Sequence, residues 1–509
     1  MSDPRVASRA PLGALPKTPT GITGLDEILE GGLPTGRPTL VCGNAGCGKT
    51  LMGVCFLVHG ALRHDEPGVL MSFEETAHDL AANVSSLGFD LERMIAERRL
   101  AIDHVRIERS EIEETGDYDL EALFIRLGLA IDTVGAKRVV LDTIEAVFSG
   151  FTNHAVLRAE LRRLFRWLKD RGVTALITGE RGEGTLTRHG IEEYVSDCVI
   201  LLDHRVEDQV ATRRLRVIKY RGTHHGTNEY PFLIDASGMD VLPVTSLGLA
   251  HAASRQRVST GIRELDGMLG GQGVFAGSSV LVSGSAGTGK SSLAAHFVDA
   301  ACGRGERSLY FAFEESADQI VRNMGSIGID LARHVASGML EFHCARPTLR
   351  GLEAHLAKMY QRLREHQPRA VVIDPLSNFS AIGNRDEVKA MLLRLIDLLK
   401  SRSITGWYTS LTLGVRDDSD VAVSSLIDTW VSIAMLDRGT SRTRTLSIVK
   451  SRGMAHSDDV RELLITDHGV RLERLSRHAS PNGRPPGGED DAGLAIGAPE
   501  HGARRQEAS

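Results

Sequence analysis

Two glycine-rich stretches of this 509-residue chain have the residue types and spacing that bind phosphate groups. GNAGCGKT occupies positions 43–50 and GSAGTGKS occupies positions 284–291, each between a strand-like run and a helical pattern. In that context the glycines let successive backbone N–H groups surround phosphates at a helix N-terminus, where the helix dipole favours anions. Two such matches in corresponding places argue against a chance glycine loop. The sequence therefore predicts two ATP sites.

Each glycine-rich stretch, together with the residue after it, forms a predicted phosphate-binding set. Lys49 and Lys290 are expected to contact the outer phosphates, and the hydroxyls of Thr50 and Ser291 are expected to bind Mg²⁺. The two sets are Gly43, Asn44, Ala45, Gly46, Cys47, Gly48, Lys49, Thr50 and Leu51, and Gly284, Ser285, Ala286, Gly287, Thr288, Gly289, Lys290, Ser291 and Ser292.

Acidic residues stand at the ends of predicted strands in both halves. Asp142 ends RVVLD and Asp374 ends AVVID, where P-loop enzymes place the carboxylate that completes the Mg²⁺ site. The alternative is an aspartate that caps the following helix. The predicted metal-binding residues are Thr50, Asp142, Ser291 and Asp374.

Two glutamate pairs, Glu74-Glu75 and Glu314-Glu315, follow the strand-like runs LMSF and YFAF. Adjacent carboxylates raise each other's pKa and suit proton abstraction from an attacking hydroxyl or water. A single pair is usually a solvated surface feature, but recurrence at the same place in both halves favours catalysis. We therefore predict that all four glutamates are catalytic.

A third repeated element lies farther along each half, as KYRGTHH at 219–225 and KSRGMAH at 450–456. Cations this far from a phosphate loop need not face their own site, and in ring ATPases they commonly reach a neighbour's phosphates. The adjacent histidines His224 and His225 have no further metal ligands close by in the sequence, so a metal site is not expected there.

The ordered recurrence of all these elements predicts a duplicated α/β domain. Strand-like runs alternate with amphipathic helical patterns, as at 153–170, where Val156, Leu157, Leu161, Leu164, Phe165 and Leu168 form one apolar stripe. This alternation predicts a mostly parallel twisted sheet flanked by helices, and consecutive strands at 195–203 and 213–220 predict an antiparallel edge. The expected organisation is a flexible arm at 1–16, domains at 17–243 and 258–475, a linker at 244–257 and a disordered tail at 476–509.

The composition excludes several protein classes. With 42% hydrophobic and 25% charged residues and a net charge of −6, the chain is an ordinary globular protein whose acidic balance does not suggest nucleic-acid binding. Six scattered cysteines without a C-x-x-C pair argue against a disulfide framework and a zinc site. The first residues lack the apolar core of a signal peptide and no run approaches about 18 apolar residues, so we expect neither a signal peptide nor a membrane span. We expect a cytoplasmic protein without a membrane partner.

The duplicated phosphate loops, glutamate pairs and K-x-R-G-x-x-H elements together resemble the KaiC family of circadian-clock ATPases and autokinases, over roughly residues 17 to 475. The resemblance implies two RecA-like domains and a homohexameric double ring with ATP and Mg²⁺ between protomers. It also implies slow hydrolysis by the first domain and autokinase and autophosphatase activity in the second. The ATP-binding residues that it adds, several of them acting on the neighbouring subunit, are Ser86, Lys219, Tyr220, Arg221, Thr223, His225, Arg444, Lys450, Arg452 and His456.

The resemblance also implies a phosphorylated hydroxyl pair in the second domain. The matching stretch, DVAVSSLIDT at 420–429, offers Ser424 and Ser425, with Glu314 and Glu315 as the base pair. Serine replaces the family's threonine at the second position, and Ile327 replaces an aromatic residue that stacks on adenine. The stretch after about Arg474 does not resemble the family's activator-binding segment, which argues against a KaiA-type activator. A KaiB-type partner for the first ring is compatible with the sequence.

Two alternative functions stay open at this point. A RecA-type DNA-dependent motor, a recombinase or helicase relative, would need basic channel loops, and the acidic balance and glutamate pairs argue against it. A nucleotide-gated signalling scaffold would bind ATP in its second ring without phosphorylating a protein. Phosphate on Ser424 or Ser425 after incubation with ATP would separate the autokinase from both alternatives.

Overall fold

A computed structural model describes residues 15–106, 120–148, 154–182, 186–187, 196–207, 210–243, 254–412, 425–437 and 441–475. The predicted tail at 476–509 and most of the predicted arm and linker therefore lie outside the described residues. Strand Arg257–Val258 starts inside the range predicted as linker, because it pairs with Val274–Phe275 of the second half.

The first half contains eleven described strands and seven described helices. The strands are β1 (Lys17–Thr18), β2 (Leu33–Pro34), β3 (Pro38–Gly43), β4 (Gly68–Ser72), β5 (Leu100–His104), β6 (Arg138–Asp142), β7 (Thr174–Glu180), β8 (Cys198–Glu207), β9 (Val210–Tyr220), β10 (Glu229–Asp235) and β11 (Gly238–Val241). The helices are α1 (Leu25–Ile28), α2 (Lys49–Arg63), α3 (Ala77–Ser85), α4 (Leu91–Ala96), α5 (Glu121–Val134), α6 (Ile144–Phe148) and α7 (His154–Asp170).

The second half repeats this order among its described residues. Its strands are β12 (Arg257–Val258), β13 (Val274–Phe275), β14 (Ser279–Gly284), β15 (Ser308–Ala312), β16 (Leu340–Cys344), β17 (Ala370–Asp374), β18 (Thr405–Leu411), β19 (Thr429–Asp437), β20 (Arg442–Ser451), β21 (Arg461–Thr466) and β22 (Gly469–Arg474). Its helices are α8 (Arg263–Met268), α9 (Lys290–Gly303), α10 (Ala317–Gly325), α11 (Ala332–Ala336), α12 (Leu352–His366) and α13 (Arg385–Ser401), with 3-10 turns at Pro347–Leu349 and Leu376–Ala381.

Each half is built on a nine-stranded sheet of described strands. The first sheet has the order β11-β10-β9-β8-β3-β7-β6-β4-β5, and the second has the equivalent order β22-β21-β20-β19-β14-β18-β17-β15-β16. Six neighbouring strands in each sheet are parallel, and the three at one edge are antiparallel. The predicted fold of two tandem α/β domains with an antiparallel edge is confirmed. The strand predicted at 195–203 instead spans Cys198–Glu207, because its pairing with β9 continues to Glu207.

Buried apolar residues explain why the central strands form. Every residue of β3, β4 and β6 is buried, as expected for parallel strands covered by helices on both faces. Helix α7 turns the predicted stripe toward this sheet, and the side chains of Leu157, Leu161 and Leu168 are almost fully buried. Val156 is 45% exposed, so it lies outside the stripe that the spacing predicted.

The two domains contact each other through the hairpin of β10 and β11 and helix α12. Asp235 at the end of β10 lies 3.4 Å from the Nζ of Lys358, and Asp240 on β11 lies 3.5 Å from Arg364. Leu242, just after β11, is buried in the hydrophobic cluster of the second domain. The antiparallel edge of the first sheet is therefore packed against the second domain.

All six cysteines are free thiols. No helix in the described part of the chain is long and apolar enough to cross a membrane.

Candidate active sites

The first glycine-rich stretch forms the turn between β3 and α2. Gly48 caps α2 with a φ of 104°, a backbone conformation that favours glycine, and a Cβ there would lie 3.0 Å from Ile234. The Nζ of Lys49 donates hydrogen bonds to the backbone oxygens of Gly43 (2.9 Å) and Asn44 (3.0 Å). The ammonium group thus lies inside the loop, at the N-terminal end of α2.

The second glycine-rich stretch has the same geometry between β14 and α9. Lys290 donates to the backbone oxygens of Gly284 (2.8 Å) and Ser285 (2.7 Å). Burial lowers the pKa of Lys290, and the nearby carboxylates of Asp374 and Glu314 oppose that effect. The loop borders a cavity of about 420 Å³. Its lining brings together most of the predicted second-site residues, including Ala286, Gly287, Gly289, Lys290, Ser291, Ser292, Glu314, Glu315 and Asp374.

The two strand-end aspartates differ in their hydrogen-bond partners. In the first site, the hydroxyl of Thr50 donates to Asp142 at 2.8 Å, and Thr178 donates to the other carboxylate oxygen. In the second site, the Asp374 carboxylate accepts from Tyr310 at 2.6 Å and from Thr409. Ser291 lines the same cavity as Asp374.

This donor set fits Mg²⁺, which prefers oxygen ligands and usually takes only one or two carboxylates plus phosphate oxygens and water. Thr50 and Asp142 in the first site, and Ser291 and Asp374 in the second, would hold the ion. Burial raises the pKa of Asp142, and the hydrogen bonds from Thr178 and Thr50 partly offset that effect. Both aspartates accept hydrogen bonds from other elements, which favours the metal interpretation over a helix cap.

The two members of the first glutamate pair have different contacts. Glu74 accepts a hydrogen bond from the hydroxyl of Thr143 at 2.9 Å, beside Asp142. Glu75 lies 3.4 Å from the side-chain amide of Asn83 on α3. The second pair repeats the latter contact, since Asn323 lies 3.4 Å from Glu315. The helix that follows each pair therefore holds the second glutamate.

The K-x-R elements lie at the opposite end of the sheet from their own phosphate loops. Gly43, where the first loop begins, pairs with Leu202 on β8, whereas the backbone of Arg221 bonds to Asp197, just before β8. Five residues separate those two positions, a distance of about 16 Å along an extended strand. The second domain repeats this separation, because Gly284 pairs with Ile433 and Arg452 bonds to Asp428.

The other residues around the first K-x-R element mostly contact their own domain. Tyr220 is buried and donates to the backbone oxygen of Gly32 at 2.8 Å, and burial raises its pKa strongly. Thr223 accepts a hydrogen bond from Lys17 at 2.9 Å, and the ring of His225 lies 6.3 Å from that of Tyr220. The hydroxyl of Tyr220 is therefore occupied within its own domain.

The second K-x-R element lies beside a predicted phosphorylation site. Arg452 donates to the backbone oxygen of Ser425 at 2.7 Å, and Ser425 is exposed. Ser424 lies outside the described residues. Burial and the charge of Arg452 lower the pKa of Lys450.

Three further predicted residues, and Ile327, are scattered over the two domains. Arg444 contacts its own phosphate loop, donating to the backbone oxygen of Gly287 at 3.2 Å. Ser86 directly follows α3 and is exposed, and His456 is half-buried in the loop after β20. Ile327 packs against the core of the second domain.

Sequence reasoning missed the hydroxyl donors to the two aspartates. Thr178 and Thr409 occupy the same position in the equivalent strands TALITGE and TGWYTSL, so the recurrence of a threonine was an available signal. Tyr310 stands within the apolar run SLYFA and is fully buried, so nothing in the sequence distinguishes it from an ordinary core residue.

Comparison with known proteins finds relatives of one family over nearly the whole chain. The sequence model of the KaiC ATPase family matches twice, at residues 18–246 and 258–476. The circadian clock protein KaiC2 of Synechocystis sp. is 56% identical over 463 residues, which cover 90% of this chain and 82% of that protein. The circadian clock oscillator protein KaiC of Synechococcus elongatus is 37% identical over 470 residues, which cover 91% of this chain and 90% of that protein.

Proposed function

The chain belongs to the KaiC family of ATPases, and from that premise we propose that it is a homohexameric timing or signalling ATPase with serine autokinase activity. The first domain hydrolyses ATP, and the second transfers the γ-phosphoryl group of ATP to Ser424 or Ser425 of a neighbouring subunit and later removes it. ATP lies between neighbouring subunits in both rings. The clock names of the relatives support the timing role.

The observation that carries the proposal is the separation of acceptor and donor within one chain. Ser425 lies beside Arg452 at the amino-terminal end of the parallel strands, whereas Lys290 lies at their carboxyl-terminal end. The distance between these ends, about 16 Å along the strands, is too large for a side chain to bridge. In a ring, Ser425 of one subunit can lie next to Lys290 of the adjacent subunit, so that the acceptor hydroxyl meets the ATP phosphates.

In the first site, the phosphates of ATP would lie over the backbone N–H groups of the loop, with Lys49 against the outer phosphates. Mg²⁺ held by Thr50 and Asp142 would neutralise charge on the phosphate oxygens. Glu74, held by Thr143 beside this carboxylate, would accept the proton of the attacking water. Arg221 of the adjacent subunit would stabilise the charge that develops on the transferred group.

In the second site, the equivalent groups would act on a protein hydroxyl instead of water. Glu314 and Glu315 line the cavity with Lys290, so either carboxylate could take the proton of an incoming serine. A phosphate on Ser425 would add negative charge close to the guanidinium of Arg452, and this pairing at a subunit boundary could switch the ring between states.

Intact-mass analysis after incubation with ATP and Mg²⁺, followed by phosphopeptide mapping, tests the proposal. We expect an ATP-dependent hexamer and phosphate on Ser424 or Ser425, lost in Glu314→Gln combined with Glu315→Gln. A hexamer that hydrolyses ATP but carries no phosphate would favour the signalling scaffold. Hydrolysis that needs DNA would favour the RecA-type motor.

A KaiB-type partner of the first ring stays a prediction, which co-elution with such a protein would test.

A further inference from the structure

The strands beside the two phosphate loops end in chemically different residues. Glu180 ends β7 and pairs with Gly43, the first residue of the first loop. Leu411 ends β18 and pairs with Gly284, the first residue of the second loop. The duplicated fold therefore places a carboxylate and an apolar side chain at equivalent positions next to the two predicted ATP sites.

Glu180 and Leu411 occupy the sheet face that carries the hydroxyl donors to the predicted metal-binding carboxylates. Residues two apart on a strand face the same side of the sheet, so Glu180 shares a face with Thr178 and Leu411 shares a face with Thr409. These threonines donate hydrogen bonds to Asp142 and Asp374, the predicted metal-binding carboxylates. Leu411 lines the 420 Å³ cavity together with Lys290, Glu314 and Asp374.

The two strand ends also differ in the group that accepts a hydrogen bond from the backbone N–H of Glu180 or Leu411. The backbone N–H of Glu180 donates to the carboxylate of Glu145 at 2.5 Å, and Glu145 is only 7% exposed. In the second domain, the N–H of Leu411 donates instead to the hydroxyl of Ser377 at 3.2 Å. Glu145 lies close over Gly179, where a Cβ would be 3.1 Å from its carboxylate. The first site thus has two carboxylates at this strand end, and the second has none at the equivalent positions.

We propose that Glu180 and Leu411 determine which acceptor receives the phosphoryl group at each site, water in the first and a protein hydroxyl in the second. Glu180 holds a water molecule by hydrogen bonds, with Glu145 fixing the strand end that carries it. The oxygen of that water bonds to the γ-phosphorus as the bond to the β–γ bridging oxygen breaks, ADP leaves, and the proton passes to Glu74. Leu411 offers no hydrogen bond to water at the equivalent place. An incoming serine hydroxyl therefore competes well with water for the γ-phosphoryl group.

This proposal rests on the proposed function, so the two sites are tested separately in the full-length protein. In a chain carrying Glu314→Gln and Glu315→Gln, free phosphate release reports on the first site. There Glu180→Leu is expected to lower the rate on the order of 10- to 100-fold, with ATP affinity and hexamer formation retained. Glu180→Gln, which can still hydrogen-bond water, is expected to lower the release rate less than Glu180→Leu does. The control is Glu92→Leu, since Glu92 is exposed on α4.

In a chain carrying Glu74→Gln and Glu75→Gln, the initial partition of phosphate between solvent and protein reports on the second site. Leu411→Glu and the smaller change Leu411→Gln are both expected to shift the partition toward free phosphate, on the order of tenfold. Leu349→Glu, at a residue that is 71% exposed, is the matched control. An unchanged release rate in Glu180→Leu, or an unchanged partition in both Leu411 variants, would overturn the proposal. If the parent chains themselves neither release nor incorporate phosphate, the proposed function fails instead.

Discussion

Thr178 donates its hydroxyl hydrogen to the carboxylate of Asp142 on the adjacent strand of the first sheet. Burial raises the pKa of this carboxyl group, and the hydrogen bonds from Thr178 and Thr50 counteract that rise. The threonine therefore helps to keep a buried carboxylate charged where Mg²⁺ is expected to bind. Thr409 makes the same contact with Asp374 in the second domain.

Replacing Thr178 with valine keeps the side-chain shape and removes the donor, so the pKa of Asp142 should rise further. Because protonated Asp142 cannot serve as an anionic ligand, we expect the Mg²⁺ concentration for half-maximal first-site hydrolysis to rise roughly 10-fold. The loss should grow as the pH is lowered. Mg²⁺ titrations of phosphate release at a higher and a lower pH measure this. Thr133→Val, at an exposed position on α5, is the control, and equal Mg²⁺ dependence in both variants would contradict the role of Thr178.

Arg221 lies at the end of its sheet that is distant from its own phosphate loop, so its contribution to ATP hydrolysis is expected to act on the neighbouring subunit. Arg221→Ala should reduce first-site hydrolysis by roughly 10³-fold, the lower range for loss of an arginine finger, while the hexamer persists. Arg216→Ala, at an exposed arginine of β9 in the same domain, should have little effect. Rates normalised to hexamer concentration measure this, and a similar small effect of both substitutions would argue against an intersubunit arginine.

Asp235 and Asp240 lie on one hairpin against α12 and are expected to respond to pH in opposite directions. Burial raises the pKa of Asp240 to about 6, despite Arg364 nearby. Burial also acts to raise the pKa of Asp235, but hydrogen bonds from Ser237, with Gln361 and Lys358, outweigh it and lower the pKa to about 2. The charge on Asp240 therefore lowers the free energy of unfolding, with its full effect above about pH 6. The charge on Asp235 raises the free energy of unfolding, with its full effect above about pH 4.

Asp240→Asn is thus expected to raise the free energy of unfolding by about 1 to 2 kcal/mol at pH 8, and this gain should shrink as the pH falls from 6 toward 4. Asp235→Asn should lower it by a similar amount at pH 8, with the loss shrinking only as the pH falls from about 4 toward 2. Thermal unfolding at pH 8 and pH 5 compares the two variants. Changes of the same sign at pH 8 would contradict these opposite assignments.

Repetition made the fold, and the placement of several candidate-site residues, predictable from the sequence. The apolar spacing of Leu157, Leu161 and Leu168 predicted helix α7 and its buried face, and the strand-end position of Asp142 predicted its place beside Thr50. Val156 could not be predicted as exposed, because it is apolar and directly adjacent in sequence to the stripe.

Other features depend on how strands pair across the sheet. Tyr310 reads as a core residue, and only the register of β15 against β17 brings its hydroxyl to Asp374. The contrast between Glu180 and Leu411 likewise becomes visible only when both are placed beside their phosphate loops. Pairing register is set by the whole sheet, so a local pattern cannot supply it.

Transfer between subunits is the central claim, and hexamers mixed from two variant chains test it most directly. One chain carries Glu314→Gln and Glu315→Gln and keeps both serines, and the other carries Ser424→Ala and Ser425→Ala and keeps both glutamates. With ATP and Mg²⁺, neither chain alone should accumulate phosphate, whereas the mixture should carry phosphate on the first chain, identified by its mass. A first chain that stays unmodified in mixed hexamers would contradict transfer between subunits.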